Sequence, residues 1–204
     1  MATRRIPLFP LNVVLLPGTR LPLHIFEERY KLMIGRCIDQ QTPFGIILAV
    51  RDGIAAIGCT AHVVRVAKTY DDGRMDILTA GQTAYRVQEL HNDQRYLEGD
   101  VELLEDDPRP GPGSDATQLR TLFAKCYRLL HDADPAAEDP NVSLAYQIAA
   151  ELPLELETRQ AVLETRVEAD RRILLIERLS QALPELERIH AARSKISGNG
   201  HAVH

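Results

Sequence analysis

Residues 6–37 read IPLFPLNVVLLPGTRLPLHIFEERYKLMIGRC, and the change of period inside this stretch decides the fold. Its first part breaks into three short apolar runs, 6–9, 13–16 and 21–25, separated by Pro10, Pro17 and Gly18. Proline has no N–H to give a sheet ladder, so runs punctuated in this way suit edge or bulged strands of a strongly bent sheet. From Glu28 the period changes. Tyr30, Met33, Ile34, Cys37 and Ile38 form one apolar stripe at helical spacing, which predicts an amphipathic helix over 28–39 that Gly35 only weakens.

Beyond this helix the strands resume. Residues 44–50 are a continuous apolar run fit for a buried strand, and Ile57, Cys59, Ala61 and Val63 alternate with more polar neighbours. Asp72-Gly73 predicts a hairpin between 63–70 and 74–79, and Tyr85, Val87, Leu97, Val101 and Leu103 continue the period of two. Then comes EDDPRPGPGS at 105–114, too rich in proline, glycine and charge to give a core or a hydrogen-bond ladder.

Everything after it reads as helix. Leu119, Leu122, Phe123, Cys126, Leu129 and Leu130 make one stripe, and Val142, Ala145, Tyr146 and Ala149 make another, with Asp115 and Asn141 as expected caps. Thr165 and Glu168 have capping-box spacing, which would end the helix holding Val162 and Leu163 and start a longer one through Leu183. There Ile173, Leu174, Leu175 and Ile176 follow in succession, too broad for one stripe, so self-association through this final helix is expected. The expected organisation is a β-rich subdomain over 1–107, a linker over 108–114, a helical subdomain over 115–194 and a disordered tail over 195–204.

Composition narrows the function classes. A net charge of −5 and a pI near 5.8 remove the electrostatic attraction that dominates nucleic-acid binding, so nucleic acid is not an expected partner. Cys37, Cys59 and Cys126 are odd in number and far apart, which points to buried thiols in a reducing compartment rather than to disulfides or zinc. Arg4 and Arg5 before an apolar stretch resemble a leader, but Pro7, Pro10, Asn12 and Pro17 interrupt the helix a leader needs. With no apolar run of membrane-spanning length, a cytoplasmic protein without a membrane partner is expected.

Residues 6–37 resemble the opening of the Lon N-terminal domain. The resemblance is carried by FPL at 9–11, LPG at 16–18, LPLHIFE at 21–27 and Arg29-Tyr30. Phe44-Gly45, Ile57-Gly58 with Ala61, Asp72-Gly73-Arg74, Gly81 before Tyr85-Arg86-Val87, and residues 160–164 continue it, covering 5 to 183. One departure is QTAYR at 82–86, where the family places an Arg and an aromatic closer to the Gly, which puts the local strand register in doubt. The resemblance implies an α+β fold: a bent, mostly antiparallel, PUA-like β pseudo-barrel with one inserted helix, followed by a small helical bundle. It further implies a free-standing, non-catalytic module that recognises unfolded or tagged polypeptides, as an adaptor or holdase, with a Lon-type protease as a partner. The alternative it leaves is nucleic-acid or small-ligand binding by the pseudo-barrel.

Catalytic signatures are absent from the sequence, and no cofactor is expected. No G-x-x-x-x-G-K-[ST] cradle for nucleotide phosphates occurs. The lysines are Lys31, Lys68, Lys125 and Lys195, and Ser194-Lys195 near the C-terminus has no rigid support for a serine–lysine dyad. Glu98, Asp100 and Glu102 alternate on one strand face and read as a solvated surface rather than a cation site; His201 and His204 read as incidental. His24 reads as a half-buried histidine with a satisfied hydrogen bond rather than a general base. The candidate polypeptide-binding residues are Phe9, Pro10, Leu15, Leu16, Pro22, His24 and Phe26, apolar and broken by prolines, with Glu28 and Arg29 as a polar rim. Any of them left out of the core would capture an extended chain by strand addition or by side-chain contact.

Overall fold

A computed structural model describes residues 3–107 and 113–198, with side chains to Arg193. Seven strands form one bent sheet: β1 (Thr3–Leu11), β2 (Arg20–Ile25), β3 (Phe44–Val50), β4 (Gly53–Ile54), β5 (Ile57–Thr69), β6 (Met75–His91) and β7 (Glu98–Leu104). The order is β1-β7-β6-β5-β3-β4, and the sheet curls until β1 also pairs with β3, the only parallel pairing among its strands. The expected bent, mostly antiparallel sheet is what the chain forms. Helix α1 (Glu28–Gln40) buries Tyr30, Met33, Ile34 and Cys37, the stripe its spacing predicts, and ends on Gln41 in the left-handed region.

β6 is long enough to serve two partners along one edge. β2 pairs with its first half, Arg20 opposite Ala80 through Ile25 opposite Met75, and β7 with its second. β5 lines the other edge but leaves β3 beyond Ala61, so the outer halves of β5 and β6 extend with β2 as a three-stranded arm. The hairpin at its tip turns on Gly73, at φ +80, with the Tyr70 and Arg74 backbones hydrogen-bonded, as Asp72-Gly73 predicts. Lys31 of α1 donates to the Asp72 carbonyl at 2.7 Å and ties the tip to the helix.

Residues 13–16 are not a strand. They form an irregular connection that buries Val14, Leu15 and Leu16, because the turn at Gly18, φ +78, docks on Gly81 and leaves no partner for a ladder. The Gly18 N–H donates to the Gly81 carbonyl and the Gly81 N–H to the Thr19 carbonyl, both at 2.9 Å. Across 82–86 the strand is continuous but its register on β5 shifts, as the departure there suggests: Ala84 pairs with Cys59 and Gly81 with Ala61, three residues of β6 against two of β5, while Ala84 faces Leu104 on the other side.

The helices are α2 (Gly113–His131), α3 (Leu144–Glu151), α4 (Leu156–Glu164) and α5 (Glu168–Gly198). Residues 108–112 of the expected linker lie outside the described residues. Asp115 lies within the first turn of α2 and does not precede it; Ser143, not Asn141, caps α3 by accepting from the Tyr146 N–H. The Thr165/Glu168 box does not form: the Thr165 hydroxyl turns back to the Ala161 carbonyl, and the Glu168 carboxylate accepts from Ser143 and Ala145 of α3. α5 carries Pro184 inside it and runs on through Gly198, into the stretch expected as a tail; 199–204 lie outside the described residues.

One apolar core joins sheet and helices. Phe9, Leu16, Met33, Ile46 and Ile77 share it with Leu119, Phe123, Tyr146, Leu163 and Leu175. Cys37, Cys59 and Cys126 are buried free thiols, and burial pushes Cys59 up to about 12. A smaller cluster, Ile6, Leu8, Ile47, Tyr85 and Val101, fills the other side of the sheet. At the junction of the two parts lies Arg171, 1% exposed.

Candidate functional site

Directly opposed residues on neighbouring strands point to the same face of a sheet, so the pairing of the arm sorts its side chains. Leu21, Leu23 and Ile25 of β2 line up with Thr79, Ile77 and Met75 of β6 and face inward. Pro22 and His24 line up with Leu78 and Asp76, and these in turn with Arg65 and Lys68 of β5, facing out. Pro22, His24, Arg65, Ala67, Asp76 and Leu78 line a shallow groove of about 380 Å³. At its end stands Phe26, just before α1, 60% exposed and stacked on His24 with ring centroids 6.0 Å apart.

The expected binding residues divide on this geometry. Phe9, Leu15 and Leu16 are core: Phe9 packs on Tyr30 at 4.1 Å between centroids, and Leu15 and Leu16 lie under the Gly18 turn. They are therefore withdrawn from any contact surface, and Pro10 is half-buried in β1. Pro22, His24, Phe26, Glu28 and Arg29 are exposed. Glu28 pairs with Lys31, and Arg29 with Glu27 while its guanidinium covers the Tyr30 ring at 4.5 Å. Arg65, Lys68, Leu78, Asp76 and Tyr70 are members of this surface that the sequence reading missed. The Asp72-Gly73 hairpin was the available signal, since it brings β5 and β6 together, but the register of β2 on β6 has no local signature.

A polar network stiffens the face. His24 Nδ1 lies 2.6 Å from Asp76 Oδ1, and Tyr70 donates to Asp76 Oδ2 at 2.8 Å. Those two bonds, His24 first, hold the Asp76 carboxyl below the usual aspartate range. An ionised carboxylate only accepts, so His24 Nδ1 is the donor. His24 is thus exposed and oriented by Asp76, not half-buried as its sequence neighbours suggest. Lys68 and Arg74 lie over the Tyr70 ring at 4.3 and 4.9 Å.

A pH test follows. A carboxylate with a depressed folded pKa adds stability above its unfolded pKa, and that stability is lost as pH falls through the folded value, here below about 4. Replacing Tyr70 with Phe removes one of the two stabilising donors, so the Asp76 carboxyl should titrate higher in the variant, as followed by carbon NMR. An unchanged titration would mean that the hydroxyl does not hold the carboxylate.

Elsewhere, Glu89, His91 and Asp100 bring ligand-type atoms within 4.8 Å of one another. Arg5 already supplies a cation there: its Nε donates to Asp100 Oδ1 at 3.1 Å and its Nη2 contacts His91 Nε2 at 2.9 Å. Arg5 first, then His91, lowers the Asp100 pKa. Glu102 of the same strand accepts from Gln88. Among the described residues no helix is long and apolar enough to cross a membrane.

Comparison with known proteins agrees with this architecture. Residues 5–181 match the family described as the ATP-dependent protease La (LON) substrate-binding domain. The chain is 26% identical to a Lon protease of Anaeromyxobacter dehalogenans over 95% of its own length and 25% of that protein's. It is 27% identical to a Lon protease of Parabacteroides distasonis over 50% of its length and 13% of that protein's. The chain thus spans a quarter or less of these relatives. Among solved structures, a Lon N-terminal domain protein from Xanthomonas campestris superposes with a TM-score of 0.68 at 25% identity, covering 85% of this chain and 98% of that one. The N-terminal domain of a Mycobacterium avium complex Lon protease, at 16% identity and a TM-score of 0.59, covers 87% of this chain and 98% of its own and shares the fold.

Proposed function

The chain belongs to the ATP-dependent protease La (LON) substrate-binding domain family, and from that premise we propose that it is a non-catalytic module that captures unfolded or tagged polypeptides on the outer face of the β2-β6-β5 arm. The observation that carries this reading is the exposure of Phe26 beside an apolar-floored groove of Pro22, Leu78 and Ala67. An aromatic side chain left 60% exposed is a large apolar surface with two rotatable bonds, a low-entropy anchor for another chain. Membership of a substrate-binding family gives that anchor a use. Its working context is the cytoplasm, which suits three buried free thiols, and it acts as an adaptor or holdase for a Lon-type protease.

Capture proceeds through side chains rather than by adding a strand. β5 carries two bulges along its outer half, at Val63/Arg65 and Val66/Lys68, and Pro22 in β2 has no N–H. Both devices blunt a sheet edge against regular pairing. Replacing Phe26 with Asp is expected to weaken capture of a reduced, unfolded client by about 1–2 kcal/mol, roughly tenfold, with little change in melting temperature. Fluorescence anisotropy of a labelled client and a thermal melt measure the two effects. Undiminished capture by the variant would remove this face from the mechanism.

A further inference from the structure

The outer face of the arm is basic in a protein whose net charge is −5. Its cross-strand rows are Arg20, Ala80 and His62; Pro22, Leu78 and Arg65; and His24, Asp76 and Lys68. Arg20, His62, Arg65 and Lys68 are all exposed. Asp76 is the one carboxylate in these rows, and His24 and Tyr70 occupy both of its oxygens. Arg20 and Arg65 make no ion pair with any described residue, so their charge faces solvent.

We propose that this face selects extended polypeptide segments in which acidic residues alternate with apolar ones. The proposal rests on the polypeptide reading above and adds the chemistry of the client. Side chains on one face of an extended chain recur roughly every 7 Å, the same repeat that separates successive rows of the arm. A segment lying edge-on along the groove, its alternate side chains directed to the two sides, therefore sets apolar side chains toward Pro22, Leu78 and Phe26 and its carboxylates toward Arg65 and Lys68 of β5. Lys68, already over the Tyr70 ring, keeps a fixed place for such a carboxylate. A nucleic-acid strand fits the charge but not the floor. That floor is aliphatic at Pro22, Leu78 and Ala67, with stacked rings at its Phe26–His24 end, whereas single-strand sites set out aromatic rings for successive bases along their length, and the rest of this acidic protein repels phosphate.

The test uses the intact chain and three labelled peptides of equal apolar content, with Glu, Gln or Lys at alternate positions, together with a single-stranded RNA of similar length. The Glu peptide should bind roughly fivefold tighter than the Gln peptide and tighter still than the Lys peptide, with the preference shrinking as salt is raised. The double variant Arg65→Gln/Lys68→Gln should bring the Glu-to-Gln ratio toward one, and a melt checks that it is folded. Phe26→Ala should weaken both peptides together. If Glu and Gln peptides bind equally and Phe26→Ala weakens both, the acidic preference is overturned while polypeptide capture stands. If no peptide binds, both readings fall. RNA binding tighter than the Glu peptide, lost in the double variant, overturns the proposal in favour of a nucleic-acid surface.

Discussion

Replacing Arg171 with Met is expected to destabilise the protein by about 3 kcal/mol, enough to lower its urea midpoint plainly. The guanidinium is 1% exposed and is held from every side. Its Nη2 donates to Asp106 Oδ2 at 2.6 Å, and its Nη1 to Asp106 Oδ1 and to the Thr165 carbonyl at 3.1 Å each. Nη1 also donates to the Tyr146 hydroxyl, and Nε to Glu168 at 3.0 Å. Burial works against the charge, but Asp106, Tyr146 and Glu168 outweigh it and the pKa is raised. Removing the cation strands these acceptors around an apolar side chain. Breaking a buried pair costs about 3–5 kcal/mol; the low end applies here because Asp106 is 42% exposed and recovers water.

The connections of Arg171 make the effect global. Asp106 follows the end of β7 by two residues, Thr165 and Glu168 join α4 to α5, and Tyr146 belongs to α3. Arg166 adds to the seam through the Leu104 and Glu105 carbonyls, and the Asp107 N–H donates to the Arg166 carbonyl. Asp106→Asn in the Arg171→Met background should cost less than it does in the parent, since the carboxylate has already lost one of its two cationic partners and keeps only Arg166, 2.6 Å from Oδ1. A single variant within about 0.5 kcal/mol of the parent would show that solvent replaces the guanidinium freely.

Local chemistry made part of this legible in sequence. The α1 stripe and the Asp72-Gly73 turn are written within a few residues, so period and turn type identified them. Residues 13–16 misled for a physical reason: burial makes a run apolar whether it forms a ladder or lies under a turn, and here Gly81, far along the chain, supplies the burial. The Thr165/Glu168 spacing was right for a cap, but Ser143, 25 residues upstream, took the carboxylate. The last helix was expected through Leu183, yet it continues past Pro184, where one missing N–H does not stop a helix already packed on α2.

The site followed the same division. The sequence grouped these residues into one candidate segment, but which of them faced out was not visible. Phe9, Leu15 and Leu16 have the same apolar character as Phe26, and only the packing of distant elements separates them. His24 meets Asp76 across 52 positions, and Arg65 and Lys68 join the face only through β6. Two bulges in β5 also shift its period, so counting alternate residues along β5 alone would have placed one of these cations on the wrong side.

Gly81→Val is expected to cost about 3 kcal/mol and, unlike Phe26→Asp, to weaken client capture and stability together. A Cβ at Gly81 would stand 2.4 Å from the Leu16 carbonyl oxygen and 3.1 Å from Leu15 Cγ. The first neighbour is backbone and cannot swing aside, so the 15–19 connection must move. Moving it breaks the paired bonds between Gly18, Thr19 and Gly81, which continue the β2–β6 ladder beyond Arg20 and Ala80. It also lifts Leu15 and Leu16 from the core and presses Gly18 toward Val142, whose methyls already exclude any side chain there. β2 carries Pro22 and His24 and leads into Phe26, so its displacement misaligns the groove with its rim. Denaturant unfolding and client anisotropy on the same preparation measure both effects. A variant that loses stability but captures clients as the parent does would show that the arm holds its shape independently of this connection.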